Sequence, residues 1–512
     1  MTGRPPSADA PRPAEEPPSA WDRSPDALRA LGHRVVDLVV DHLAGLADRP
    51  VVRPVPAEVV AAMAAEPLPL AGRPASEVLD AFAGGVAPYP FGNGHPRFGA
   101  WVNSPPHALG VFAEALAAAM NPSVAGGNHA AVHVEHQVVR WFAELAGLPA
   151  GSGGLLVGGG SAATLTALAA ARHRAGARAG VDVRAEGLQG GDPGRRFVLY
   201  LGAEAHGSAR KAAELLGLGS AHLRVLPSDA ADRLRPDQLR AAVERDLATG
   251  HVPVAVVASA GTTNTGAIDP LDAIADVCAD LQVWLHVDGA YGAPAVLLLE
   301  RYAAHRAGLA RADSVGLDPH KWLYAPVDAG VLLLRDPAAA REAFSLVPPY
   351  LRTDGDPGGV GGPVWFSEYG FEQTRPFRAL KVWMLLRHLG RDGYRDLVAH
   401  DVEIAEHLAA GVTAAPDLEL LARGLSVVCF RYRPPGVASE RLDALNRRLL
   451  TAVQLGGRAF LAGTTVGGVF ALRACVVNPG TGTGDADAVL AEVRAEGARA
   501  AGDPVAAPAA SP

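Results

Sequence analysis

Between residues 197 and 334, short runs of consecutive apolar residues alternate with segments whose apolar residues recur at helical spacing. Strands that are apolar on both faces belong inside a parallel sheet that helices cover on both sides. The sequence therefore predicts an α/β domain with a mostly parallel sheet. The predicted strands are Phe197–Leu201, Leu223–Leu226, Val252–Ala258, Val283–Val287, Ser314–Leu317 and Gly330–Leu334.

Outside this region the pattern divides the chain further. Ser24 followed by Pro25 is typical of a helix start, and apolar residues at helical spacing follow. From about residue 400, helical and strand patterns alternate again, which predicts a second and smaller α/β domain. The predicted divisions are a disordered proline-rich tail over 1–20, a helical segment over 21–110, a large domain over 111–395, a small C-terminal domain over 396–496 and a disordered tail over 497–512.

The charge balance limits the classes of partner. Lysine and arginine total 46 against 54 aspartate and glutamate residues, which gives a formal net charge of −8. A general binder of nucleic acid or of anionic membranes would need a cationic surface, so we expect neither partner. The lysines in the sequence are Lys211, Lys321 and Lys381, so chemistry that needs a neutral amine has three candidates.

The cysteines and the hydropathy pattern bear on the compartment. Cys278, Cys429 and Cys475 are far apart in apolar contexts, which favours buried thiols over disulfides or a zinc site. The sequence contains no run of about 18 uncharged apolar residues that would predict a membrane span, and its start lacks the apolar core of a secretory signal. We expect a cytoplasmic protein without a metal site.

Functional side chains follow several of the short apolar runs. The glycine-rich segment Gly158–Thr164 opens a predicted helix, whose free N–H groups suit a phosphate. His206, Asp288 and Lys321 each lie at or just after the end of a predicted strand. Because ligands of parallel sheets bind at the carboxyl ends of the strands, we expect these groups to share one site.

This combination is what pyridoxal phosphate requires. A lysine forms a Schiff base with the cofactor's aldehyde, an acid keeps the pyridine nitrogen protonated, and an imidazole packs on the flat ring. Lys321 is favoured over Lys211 and Lys381 because those two lie within predicted helices. The glycine-rich segment also satisfies a loose dinucleotide-binding pattern, but no acidic residue ends a clear strand about 20 positions later.

The sequence from about Pro25 to Val493 resembles the pyridoxal-phosphate-dependent amino acid decarboxylases of the aromatic-L-amino-acid decarboxylase group, also called group II. The resemblance implies the fold type I architecture of aspartate aminotransferase, with a mostly parallel sheet of the seven-stranded type. It also implies a homodimer with shared active sites and with 21–110 in the dimer interface. The segments that carry it are His95–Phe98, Asn121–Ser123, Gly261–Thr263, His286–Ala290, Asp318–Trp322 and Phe377–Trp383.

The resemblance also implies residue roles. Lys321 would carry the Schiff base, His206 would stack on the ring and assist protonation, and Asp288 would pair with the pyridine nitrogen. Ala290 would pack on the other face of the ring, and Thr262 would lie near the cofactor's hydroxyl group. The residues expected to contact the cofactor are Gly160, Ser161, His206, Thr262, Asp288, Ala290, His320 and Lys321, of which Gly160, Ser161 and His320 would contact the phosphate.

The substrate is less constrained than the cofactor. In relatives, the segment that holds Tyr89, Phe91, Phe98 and Trp101 lines the substrate pocket, which favours an aromatic or bulky apolar L-amino acid. Phe366 is a further candidate for contact with the substrate. Ordinary packing would explain these rings equally well. The predicted reaction releases carbon dioxide and an amine.

A loop tyrosine bears on the identity of the product. Family decarboxylases use such a tyrosine to help protonate the carbanion, and counting back from Arg375 by the family spacing reaches Phe366 instead. Tyr350 or Tyr369 could supply the phenol. Relatives with phenylalanine at this position are aldehyde synthases, which decarboxylate and oxidatively deaminate. That activity is the main alternative, and an aminotransferase or a non-catalytic pyridoxal phosphate-binding protein are lesser ones.

Overall fold

The computed structural model describes residues 24–190, 192, 194–347 and 359–502. The chain divides into two compact units, Met1–Gly92 and Asn93–Pro512. This division falls between residues 92 and 93 rather than at the predicted boundary between 110 and 111. The reason is that Phe98 and Gly99 already pair with the backbone of Phe460, far along the second unit. The tail predicted over 1–20 lies outside the described residues.

The first unit is helical. Ser24 begins its first helix by accepting a hydrogen bond from the backbone N–H of Ala27 at 3.3 Å, as the sequence predicts. None of the described side chains on its helices is buried, and α1 leaves an apolar stripe exposed at Leu28, Leu31, Val35, Val36 and Val40. The helices are α1 (Pro25–Ala44), α2 (Ala57–Ala65) and α3 (Ala75–Gly85).

A seven-stranded sheet forms the centre of the second unit within the described residues. Strand β7 runs antiparallel to both of its neighbours, β1 and β6, and the other neighbouring strands are parallel. The predicted mostly parallel sheet is therefore confirmed. In the spatial order β1-β7-β6-β5-β4-β2-β3, the strands are β1 (Gly153–Val157), β2 (Phe197–Gly202), β3 (Leu223–Leu226), β4 (Val252–Ser259), β5 (Trp284–Asp288), β6 (Ser314–Leu317) and β7 (Gly330–Leu334).

Helices cover this sheet. Strands β2, β6 and β7 are buried along their whole length, which is why they read as unbroken apolar runs in the sequence. The helices of this part are α4 (Ala108–Met120), α5 (Ala130–Leu145), α6 (Gly160–Arg178), α7 (Ser208–Leu215), α8 (Pro236–Ala248), α9 (Leu271–Leu281), α10 (Ala293–Leu298), α11 (Ala303–Leu309), α12 (Pro319–Trp322) and α13 (Ala338–Phe344).

A smaller antiparallel sheet follows, with a hydrophobic core of its own. Helix α14 (Ala379–Ala414) leads into it and bends at Gly390, whose φ of 65° is not helical; the predicted boundary between 395 and 396 falls inside this helix. The described strands lie in the order β10-β11-β9-β8 and are β8 (Leu418–Gly424), β9 (Val427–Tyr432), β10 (Ala462–Val466) and β11 (Val469–Cys475). Helix α15 (Ser439–Gly456) lies between β9 and β10 in the chain, and α16 (Thr483–Gly502) follows β11.

The last helix corrects one prediction. We expected a disordered tail from residue 497, but α16 continues to Gly502. Gly497 is buried in this helix, where its missing side chain lets the ring of Tyr432 approach the backbone. Residues 503–512 lie outside the described residues. Within the part of the chain that is described, no helix combines the length and apolarity needed to cross a membrane.

Candidate active site

A cavity of about 410 Å³ lies at the carboxyl ends of the strands of the large sheet. Its walls come from the segments that follow β1, β2, β4, β5 and β6. The residues expected to contact a cofactor all line it, and they are Gly160, Ser161, His206, Thr262, Asp288, Ala290, His320 and Lys321. Five separate loops thus bring the predicted cofactor residues into one cavity, as the strand-end argument requires.

The glycine-rich segment after β1 leaves space where side chains would collide. A Cβ on Gly160 would lie 2.8 Å from the Cβ of Ala290, and Gly159 has a φ of 142° that favours glycine. Gly330, at the start of β7, packs so closely that a Cβ there would lie 2.5 Å from the Cα of Gly159. The first N–H groups of α6 have no acceptor within the helix, so the segment forms a cradle suited to a phosphate.

Lys321 reaches the cavity from α12, the short helix after β6. Its Nζ lies 2.9 Å from Oδ2 of Asp318, and about a quarter of the lysine side chain is exposed. Asp318 is buried, and its other oxygen, Oδ1, has no hydrogen-bond partner among the described residues. The lysine is therefore held as an ion pair next to the glycine cradle, where Oδ2 of Asp318 would lie 3.2 Å from a Cβ on Gly160.

The imidazole of His206 has a defined proton position. The backbone N–H of Ser208 donates to Nδ1 of His206 at 3.2 Å, and the Ser208 hydroxyl lies 2.9 Å from the same nitrogen. Because Nδ1 accepts a hydrogen bond, the neutral imidazole carries its proton on Nε2. His206 is exposed to the cavity and therefore presents an N–H donor there.

A second histidine contacts the cavity beside the lysine. Nδ1 of His320 lies 2.7 Å from the carbonyl oxygen of Ala329 and 3.1 Å from the backbone nitrogen of the same residue. Its Nε2 lies 3.8 Å from Oδ2 of Asp318. Ala329, the residue immediately before β7, thus fixes the ring of His320, and the other ring nitrogen lies on the side of the buried carboxylate.

The acid and the hydroxyl of the site lie at or after the ends of two neighbouring strands. Asp288 ends β5 and accepts a hydrogen bond from the backbone N–H of Ala290 at 3.1 Å. The hydroxyl of Thr262, after β4, lies 3.1 Å from that of Thr265 and accepts from the backbone N–H of Ala267 at 3.1 Å. Both side chains are thereby oriented by their own loops before any ligand binds.

His286, two residues before Asp288, is a structural residue. Burial lowers its pKa to about 4, so the imidazole is neutral at ordinary pH. Its Nδ1 lies 2.9 Å from the Ser314 hydroxyl and its Nε2 3.4 Å from the Thr164 hydroxyl. It joins β5 to β6 and to α6 behind the cavity.

A buried ion pair supports the strand that leads into the glycine cradle. Arg375 pairs with Glu135, and both side chains are almost fully buried. Glu135 accepts the backbone N–H of Leu156 at 2.9 Å, and Arg375 donates to the carbonyl groups of Leu156 and Val124. Burial raises the pKa of Glu135 against the opposing effect of Arg375. The pair therefore fixes the end of β1 immediately before the cradle.

Phe366 does not line the cavity of this chain, and its assignment to the loop position stays a prediction. It lies in a short 3-10 helix, Phe366–Glu368, and its side chain is 1% exposed. Its ring packs on His136 with 4.3 Å between ring centroids, and the guanidinium of Arg375 lies 4.8 Å from its centroid. Tyr369 is half-buried against the core and does not line the cavity either. Tyr350 lies outside the described residues.

The other four candidate substrate residues divide into two pairs. Phe98 is buried, with 5.5 Å between its ring centroid and that of Phe460. Trp101 lies edge-on to Phe98 at 6.1 Å and lines a second cavity of about 420 Å³ that also contains His206 and Thr263. This second cavity therefore adjoins the first. Tyr89 and Phe91 belong to the first unit, where the guanidinium of Arg53 lies 5.2 Å from the ring centroid of Tyr89.

Several residues of the cavity were missing from the prediction. Asp318 lay within the motif Asp318–Trp322, and its position three residues before the lysine was the signal that could have identified it. Ser208 follows His206 by two residues, a spacing at which a hydroxyl and a backbone N–H commonly bond a side chain. Two further groups of lining residues lay within predicted segments: Gly158, Gly159 and Ala162 in the glycine-rich segment, and Gly261 and Thr263 in a segment that carries the resemblance. Ser259 and Tyr291 were not singled out.

Comparisons with known proteins agree with this geometry. The family model described as the pyridoxal-dependent decarboxylase conserved domain matches residues 82–433. The aromatic-L-amino-acid decarboxylase of Bacillus atrophaeus is 33% identical over 476 residues, which cover 92% of this chain and 96% of that protein. The phenylacetaldehyde synthase of Arabidopsis thaliana is 28% identical over 467 residues, covering 89% and 92%.

A solved structure is similar over nearly the whole chain. The crystal structure of Oryza sativa TDC with PLP and tryptamine matches with a TM-score of 0.86 and 28% identity, covering 93% of this chain and 99% of that chain. The fold and the cavity thus define a fold type I enzyme that uses pyridoxal phosphate. The chain belongs to the pyridoxal-dependent decarboxylase family and is a carboxy-lyase acting on an L-amino acid.

Proposed function

We propose that this decarboxylase acts on an aromatic L-amino acid and releases the corresponding amine and carbon dioxide. The observation that carries the proposal is the cavity in which Lys321, paired with Asp318, faces the same space as His206, Asp288 and the glycine cradle. Aromatic specificity is supported by Trp101, which lines the adjoining cavity, and by relatives named for aromatic substrates.

The residues present fit pyridoxal phosphate. Gly160, Ser161 and His320 would hold the phosphate, since the cradle has space and N–H donors there. Asp288 would pair with the pyridine nitrogen, and Lys321 would bind the carbonyl carbon. The ring would contact His206 and Ala290, with its hydroxyl group near Thr262.

When bound, the cofactor supplies an electrophilic carbonyl and a ring that takes up the electron pair released as carbon dioxide leaves. Asp288 contributes a negative charge that holds a proton on the ring nitrogen. His206 presents its Nε2–H to the cavity, and we assign to it the orientation of the substrate carboxylate and assistance in returning a proton to carbon. Lys321 brings the amine that exchanges with the substrate amine.

The identity of the product can be measured directly. With a panel of amino acids, carbon dioxide, amine, ammonia and hydrogen peroxide are quantified together. We expect one amine for each carbon dioxide, with aromatic substrates preferred. Peroxide and ammonia in equal amounts would establish the aldehyde synthase alternative, and turnover that depends on an added keto acid would establish an aminotransferase. Aldehyde synthases are among the relatives of this chain, so the aldehyde product stays the main alternative.

The aromatic specificity has a test of its own. Trp101→Ala removes the exposed ring from the adjoining cavity, and we expect KM for aromatic substrates to rise about tenfold with a smaller change in kcat. Phe371→Ala is the matched control, because Phe371 is an exposed aromatic residue that lines neither cavity. Equal effects of both variants on KM would contradict the assignment.

We also propose a homodimer in the cytoplasm. The support for a dimer is the apolar stripe on α1 and a second stripe on α4 formed by Phe112, Leu116 and Met120, which are 36–58% exposed. Such stripes recur at helical spacing and suit an interface with another chain. The cytoplasm is supported by the three cysteines, which are buried free thiols. Light scattering of the purified protein tests the dimer, and a monomeric mass would contradict it.

A further inference from the structure

The turn that carries Lys321 is held by the two aromatic residues that follow it. Trp322 and Tyr324 are both almost fully buried, and Tyr324 has a φ of 55°, in the left-handed region that a bulky residue seldom adopts. Such a backbone conformation persists when the surroundings determine it. The contacts of these two side chains therefore determine the path of the turn on which the lysine stands.

The side chains of Trp322 and Tyr324 donate hydrogen bonds to the same carboxyl group. Oδ2 of Asp401, on α14, accepts the indole N–H of Trp322 at 2.8 Å and the phenol O–H of Tyr324 at 2.8 Å. Asp401 is fully buried, and burial raises its pKa to about 7, against hydrogen bonds and a nearby His400 that act in the opposite direction. Asp401 does not line the cavity, so the proposed chemistry gives this acid no role.

A second contact locks the same indole. The ring of Trp322 stacks on that of Tyr291 with 5.2 Å between centroids and 14° between planes. The Tyr291 hydroxyl lies 2.7 Å from that of Ser426, in the turn between β8 and β9, and accepts the backbone N–H of Ser426 at 3.0 Å. The turn of Lys321 is thus joined both to α14 and to the smaller sheet, with Asp401 providing the shared acceptor.

We propose that Asp401 is a positioning residue for Lys321, holding Trp322 and Tyr324 so that the lysine leaves the turn toward the cavity. This inference rests on the proposed function, in which Lys321 is the reactive amine. Without the acceptor, the indole N–H and the phenol O–H would be left unsatisfied in the core, and the left-handed backbone at Tyr324 would lose a contact that determines it. The turn would relax, and the pair between Lys321 and Asp318 would loosen with it.

The scarcity of lysine provides a readout that needs neither cofactor nor turnover. Cofactor-free protein is treated briefly with acetic anhydride, and acetylation at each lysine is quantified by peptide mapping. Lys211 is exposed and serves as the internal reference, and Lys381 is 3% exposed and paired with Glu114. Lys321, one quarter exposed and paired with Asp318, reports on the turn. The dissociation constant for pyridoxal phosphate is measured as a second readout.

Four variants separate positioning from general destabilisation. Asp401→Ala removes the acceptor, whereas Asp401→Asn keeps an oxygen that accepts both hydrogen bonds. Tyr324→Phe removes one of the two donors with little change of shape. Asn446→Ala is the matched control, because Asn446 is equally buried and bonds the backbone of Tyr432 and Leu442, away from the turn.

In Asp401→Ala we expect the labelling ratio of Lys321 to Lys211 to rise about threefold or more and cofactor affinity to fall about tenfold. Asp401→Asn should restore both to within about twofold of the wild type, and Asn446→Ala should change neither despite unfolding at a lower temperature. Unchanged values in a folded Asp401→Ala, or equal changes in the control, would overturn the proposal.

If Asp401→Ala does not fold, Tyr324→Phe decides: a raised labelling ratio of Lys321 to Lys211 supports the proposal, and an unchanged ratio overturns it. A wild type that binds no pyridoxal phosphate would overturn the proposed function, while the labelling ratios would still test the positioning.

Discussion

The amine of Lys321 lies 2.9 Å from the carboxylate of Asp318, three residues earlier on the same turn, and this carboxylate is 2% exposed. The pair places a positive charge and a buried negative charge at the edge of the glycine cradle. Two consequences can be measured, one for the binding of the cofactor and one for stability.

Lys321→Ala should abolish the visible absorbance of the protein with pyridoxal phosphate and lower carbon dioxide release by at least about a thousandfold, because an essential nucleophile is removed. Absorbance spectroscopy and trapping of labelled carbon dioxide measure the two effects. Lys211→Ala, which removes an exposed lysine outside the cavity, serves as the control and should leave both unchanged. A Lys321→Ala protein that retained the visible band would show that another amine binds the cofactor.

The same substitution should also destabilise the cofactor-free protein, because it leaves Asp318 buried without its cation. We expect a loss of about 1–3 kcal/mol in the free energy of unfolding, less than for a completely buried pair since Lys321 is partly exposed. Adding Asp318→Asn to Lys321→Ala should recover part of the loss. Urea unfolding measures all three proteins, and a double variant less stable than Lys321→Ala would contradict the explanation.

Asp401 predicts a dependence of stability on pH. Its pKa in the folded protein is about 7, above the value of 3.8 for an unperturbed aspartate, so the folded state binds a proton that the unfolded state releases. The contribution of Asp401 to the free energy of unfolding is therefore at its maximum below about pH 4 and is lost as pH rises toward 7. Relative to Asp401→Asn, the wild type should lose on the order of 1 kcal/mol per pH unit in this window. Urea unfolding of both proteins at several pH values measures the difference, and parallel curves would contradict it.

The pair of Arg375 and Glu135 should matter far more than an exposed pair. Arg375→Ala leaves Glu135 fully buried without its cation, and we expect a loss of about 3–5 kcal/mol. Arg240→Ala breaks the pair of Arg240 and Asp280, in which the arginine side chain is 38% exposed and the aspartate side chain 61% exposed. The loss should be less than about 1 kcal/mol. Thermal unfolding of both variants provides the comparison. Similar losses would show that burial does not determine the contribution of these pairs.

The central sheet could be predicted because its strands are buried on both faces. Each of the six predicted strands agrees with the structure to within one residue at either end. The edge strands β8 and β10 were missed because they are only partly buried and carry polar residues, so they lack an unbroken apolar run.

The site could be predicted as far as local sequence determines it. Strand ends and the glycine-rich segment locate Lys321, Asp288 and His206, because parallel strands bring their carboxyl ends together. The assignment of Phe366 stays a prediction, because a count of residues across a loop does not determine which side chain turns into the core. The contact of Asp401 with Trp322 spans 79 positions and leaves no periodic trace in the sequence.

The insertion of β7 between β1 and β6 has a consequence for the order of assembly. Among the described strands, β1 reaches the rest of the sheet only through β7, and Gly330 of β7 packs closely against Gly159 of the glycine cradle. A chain still emerging from the ribosome therefore lacks a shaped cradle until β7 has been synthesised and has entered the gap. Such long-range pairing slows folding. We therefore expect loading of the cofactor to be a late event for the nascent chain, after the lysine turn and the strand beyond it have both been made.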